Sequence, residues 1–90
     1  MLEQVGRDLL AQLKACPDRR TARVMVAQMQ VHLVNSKMDA ALRDRFWKAL
    51  LTAIRAASHE FVAADVFAAV MADVTLQSIR CAKNSQIGDD

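Results

Sequence analysis

A chain of 90 residues has interior enough for one hydrophobic core and not for two. Its apolar content of 53% is carried with only 4% aromatic residues, two glycines and one proline, too little punctuation for the turns of an all-β fold. A formal net charge of +2 gives no strong overall field for a polyanion.

Sixteen alanines, together with Leu, Met, Arg, Lys and Gln, make up a composition of good helix formers. The expected class is all-α: a single four-helix-bundle-like domain over residues 1–83, followed by a disordered tail at 84–90. Cys16 and Cys81 fall at opposite ends of an up-and-down bundle, so no intrachain disulfide is expected and a reduced, cytoplasmic setting fits. Glu3, Arg7 and Asp8 interrupt any apolar leader, and Asp65 and Asp73 interrupt the most apolar window, Phe61 to Ile79, so no membrane span is expected.

Helix one is predicted from Leu2 to about Ala15, with Leu2, Val5, Leu9, Leu10 and Leu13 on one face. Gly6 sits near that face, where its missing side chain suggests either a close helix approach or a glycine simply tolerated near the helix end. Pro17 breaks the chain. Helix two follows from about Asp18 to Val34, with one apolar stripe of Ala22, Met25, Val26, Met29 and Leu33. A second stripe of Val24, Ala27, Val31 and Val34 lies almost opposite. Such a helix is either central in the fold or shared with a second chain.

Ser36, with Asp39 three residues on, resembles a capping box opening helix three, about Lys37 to Ala57. Its expected core side holds Leu42, Phe46, Ala49, Leu50 and Ala53, with Trp47, Leu51 and Ile54 extending the arc. Asp44 with Lys48, and Asp39 with Arg43, stand at ion-pairing spacing. Ser58 is the expected cap of helix four, which should reach about Cys81. That helix also has two stripes: Ala63, Val66, Phe67, Val70 and Val74, then Phe61, Ala68, Ala72, Leu76 and Ile79.

A bundle helix needs roughly three apolar positions in seven, so helices two and four carry a surplus. A two-fold homodimer covers such a surplus most simply, with Phe61, Ala68, Ala72, Leu76, Ile79, Val24 and Val31 as its expected interface. Arg43, Trp47 and Leu51, one turn apart on helix three, form a candidate partner-binding patch, because Trp and Arg are enriched at binding hot spots; the alternative is that Trp47 is a core residue at the bundle edge.

No grouping of nucleophile and base or paired carboxylates stands out, so no catalytic residues are assigned and an enzyme is not expected. His59-Glu60 starts like a zinc-protease helix, but Ala63 stands where the second histidine belongs. With no CxxC pair and isolated glycines, no metal, nucleotide or other cofactor is expected.

Charge is polarised along the chain: nine basic against three acidic residues from Lys14 to Arg55, and two against five from Ala56 to Asp90. Arg19, Arg20 and Arg23 are the candidate contacts should the helix-two and helix-three region bind nucleic acid as a regulator. The leading expectation is a non-enzymatic protein–protein interaction module, an adaptor, inhibitor or chaperone-like protein that occludes or bridges a protein partner.

Overall fold

The computed structural model describes the backbone of residues 2–88 and the side chains of residues 3–83. It is all-helical, with α1 (Leu2–Ala15), α2 (Arg19–Asn35), α3 (Ala40–Ala56) and α4 (Ala64–Gly88), and a short 3-10 turn, Ser58–Glu60, before α4. α4 continues past the expected end near Cys81. Of the expected tail, residues 84–88 continue its backbone, while their side chains and all of 89–90 lie outside the described residues.

Direction follows from a few bonds at the helix ends. The Val62 N–H donates to the Lys14 carbonyl at 2.9 Å, and Lys14 Nζ meets Glu60 at 2.8 Å, so α1 ends where α4 begins. Ser78 Oγ donates to Asp44 at 2.8 Å, placing the later half of α4 beside the start of α3. The helices therefore run up, down, up, down. α3 and α4 pack most extensively, α2 lies along α4 in the same direction, and α1 rests mainly on α3.

The core is one cluster. Leu9, Leu13 and Cys16 enter it from α1 and its end, and Ala22, Val26 and Leu33 from α2. α3 supplies Phe46, Trp47, Leu50 and Ile54, and α4 supplies Val66, Val70, Val74 and Cys81. The buried arc of α3 is rotated from the expected one: Trp47 and Ile54 are fully buried, while Leu42 and Ala49 are exposed. α4 causes the rotation, since it presses on the Trp47 flank more closely than α1 presses on the Leu42 flank. Cys16 and Cys81 are buried as free thiols.

Three local expectations are corrected. α3 is capped by Asp39, which accepts from the Leu42 N–H at 2.9 Å, and not by Ser36. Ser36 instead closes α2, its Oγ donating to the His32 carbonyl at 2.8 Å, and Lys37 turns the chain with a left-handed φ of 59°. Ser58 does not cap α4, because the Val62 bond to Lys14 holds residues 61–63 out of helical register. Gly6 does face α3, but a Cβ there would meet Phe46 Cε2 at 3.6 Å, an ordinary contact, so the approach does not require glycine.

Asp18 caps α2 by accepting from the Thr21 N–H at 2.8 Å, and the bonds from Thr21 hold its carboxyl below the ordinary value. Partial burial alone would raise the Asp44 pKa, but hydrogen bonds from Lys48 and Ser78 outweigh it and the net shift is downward.

Lys37→Gly relieves the left-handed backbone of a side-chain-bearing residue. The expected gain is about 0.5–1 kcal/mol after the added chain entropy of glycine, or about 2–8 °C in Tm; a lower Tm contradicts the turn. The Ser78 bond to a charged acceptor leads us to expect a loss of about 1–2 kcal/mol for Ser78→Ala in urea unfolding. Folded Asp44 binds its proton less tightly than unfolded Asp44. Its contribution is therefore complete above the ordinary pKa of 3.8 and fades as pH falls through the lower folded value. Asp44→Asn should accordingly flatten stability against pH in that acidic window, and an unchanged acid limb contradicts the link.

Candidate protein-docking surface

Trp47 is not a surface residue. It is 0% exposed, stacks edge-on against Phe46 at 5.2 Å, and its Nε1 has no hydrogen-bond partner. Arg43 is also occupied, because its guanidinium donates to the Met38 carbonyl at 2.7 Å and ties down the α2–α3 turn, while Leu51 is half-buried against the core. The Arg43, Trp47 and Leu51 patch is therefore a structural unit. Its spacing matches a hot spot because a turn-by-turn row on a helix is also how a core row is written.

The second stripes are largely left exposed. Of the seven large apolar residues left exposed among the described residues, five belong to these stripes: Val24 (50%), Val31 (52%), Val34 (46%), Leu76 (44%) and Ile79 (48%). Ala27, Ala68 and Ala72 are exposed between them. Phe61 leaves the expected set, since it is half-buried and packs edge-on to Phe67 at 5.3 Å.

Helix phase places the two stripes on one side of the molecule. Arg23 and Asp73 span the α2–α4 seam at 3.4 Å. At 100° per residue, Val24, Ala27 and Val31 follow Arg23 outward on α2, as Ala72, Leu76 and Ile79 follow Asp73 outward on α4. The result is a two-helix face with an apolar lane on either side of one ion pair.

A second apolar feature lies between α1 and α3, a groove of about 360 Å3 floored by Phe46 and Leu50 and walled by Leu10, Leu42 and Ala49. Arg7 and Arg45 stand at its edge with Glu3. Sequence reading missed it because Leu42 and Ala49 carry the right periodicity for core; only the rotation of α3 toward α4 leaves them open.

Arg19, Arg20 and Arg23 border a shallow depression at the start of α2 with Val24 and Ala27. The carboxylate of Asp18 caps the same helix end and Asp73 engages Arg23. Among the described residues no three His, Cys, Asp or Glu side chains gather as a metal set, and no helix is long and apolar enough to cross a membrane. No family model, no curated protein and no solved structure matches the chain.

Burial separates two substitutions that look alike on paper. Trp47→Ala should cost about 3–5 kcal/mol in denaturant unfolding, whereas Leu76→Ala should stay within about 0.5 kcal/mol at low protein concentration. Equal losses at the two positions contradict the assignment of core and docking face.

Proposed function

We propose that the chain is a non-enzymatic protein–protein interaction module whose working surface is the outer face of α2 and α4. The observation that supports this is the row of Val24, Val31, Leu76 and Ile79, each about half exposed on the same side of the fold. Removing such side chains from water contributes roughly 25 cal/mol per Å2, from which the cost of association is subtracted. The module acts by occupying or bridging a partner's apolar surface, with the Arg23–Asp73 pair lying between its two apolar lanes.

Nucleic-acid binding is the weaker reading. With Arg23 engaged by Asp73 and the Asp18 carboxylate at the same helix end, Arg19 and Arg20 are the arginines left over. That helix end alone therefore offers few cations for counterion release from a duplex.

A photo-crosslinking residue placed at position 31 or 76 should give discrete protein adducts in the cell of origin. The same residue at Gln12, exposed on α1, should give none. Adducts of equal yield at all three positions, or at none, overturn the docking role.

A further inference from the structure

Resting on the docking role just proposed, the distribution of residues along α4 names its partner. Asp65, Ala68, Ala72, Leu76, Ile79 and Lys83 are all exposed, and at 100° per residue they fall within an arc of about 80°. The face is ordered from one end to the other: an acid, two small residues, two large ones, a base. Asp65 and Lys83 are equidistant in sequence from Val74, and so are Ala72 and Leu76.

We propose that this face pairs with the same face of a second copy, antiparallel, about a two-fold axis that passes at the level of Val74. Reversing the helix places Leu76 against the partner's Ala72 and Ile79 near the partner's Ala68. Asp65 then lies opposite the partner's Lys83. Large side chains meet small ones and acid meets base, and by symmetry every contact is made twice. Parallel pairing would set Leu76 on Leu76 and Lys83 on Lys83, which leaves gaps beside the alanines and places like charges together.

The paired stretch from Asp65 to Lys83 is about 27 Å long at 1.5 Å per residue. Because Arg23 lies level with Asp73, the same two-fold passes near Val24, sets Val24 against its own copy and lays residues 19–29 of α2 beside the same stretch of the partner, which widens the interface beyond α4. A patch two helices wide is what a stable dimer of small subunits requires, since a single helix seam falls short of the usual interface area.

The register is tested by mixing two single-cysteine additions, Ala72→Cys and Leu76→Cys. Both sites are exposed, whereas Cys16 and Cys81 are buried. Under mild oxidation the equimolar mixture should give a disulfide-linked pair of about twice 10.0 kDa, and neither variant alone should. Asp65→Lys turns two attractive contacts into two repulsive ones and should weaken association about tenfold, and Lys83→Asp in the same chain should restore it. Helical circular dichroism confirms that each variant is folded.

Cross-linking of either variant by itself at the rate of the mixture, or failure of the double charge exchange to recover association, overturns the antiparallel register. A wild-type mass of 10.0 kDa at the highest soluble concentration overturns self-pairing altogether. In that event adducts of other masses from a probe at position 76 would leave the docking role standing, so the two ideas fail separately.

Discussion

The structure depends on one row of side chains on α4. Val66, Val70 and Val74 are each fully buried, and Ser78 and Cys81 extend the row to the far end of the bundle. α3 packs on one flank of it with Trp47, Leu50 and Ile54, and α2 lies along the other with Val26 and Leu33. β-branched valines at every fourth position have few rotamers to lose on burial, so the row is rigid and narrow. A narrow row occupies one arc of its helix and leaves the opposite arc to other uses.

That division explains the surplus of apolar residues. A helix at the centre of a bundle would bury both of its stripes, and α4, which touches all three other helices, still leaves Leu76 and Ile79 about half open. α2 repeats the pattern, with Ala22, Val26 and Leu33 inside and Val24, Val31 and Val34 outside. The exposed lanes run alongside a seam held by Arg23 and Asp73, a position suited to a second layer of helices. The polarity along α4, acidic at Asp65 and basic at Lys83, supplies a direction for that layer.

Much of this was legible in the sequence, for reasons that can be stated residue by residue. Class follows from composition, helix number from the breaks at Pro17, Ser36 and Ser58, and both stripes of α2 and α4 from their phase. What periodicity could not supply was the rotation of α3. Phe46, Trp47, Leu50 and Ile54 form as regular a row as Leu42, Phe46, Ala49 and Ala53, and the neighbour that presses harder decides between them. The same choice decides between Trp47 as a contact residue and Trp47 as core, and it opens the groove beside Leu42, which periodicity does not reveal. Helix ends erred where two polar residues competed: Ser36 and Asp39 both suit a cap, and the left-handed Lys37 between them gives the serine to α2 and the aspartate to α3.

The central claim is that the bare arc of α4 is covered in solution by its own copy. Small-angle X-ray scattering across a concentration series reads this most directly, since forward scattering gives mass and the low-angle slope gives size. The expected result at high concentration is a mass near twice 10.0 kDa with a radius of gyration well above the 12.8 Å of one chain. A particle that keeps the single-chain mass and radius throughout the series contradicts it.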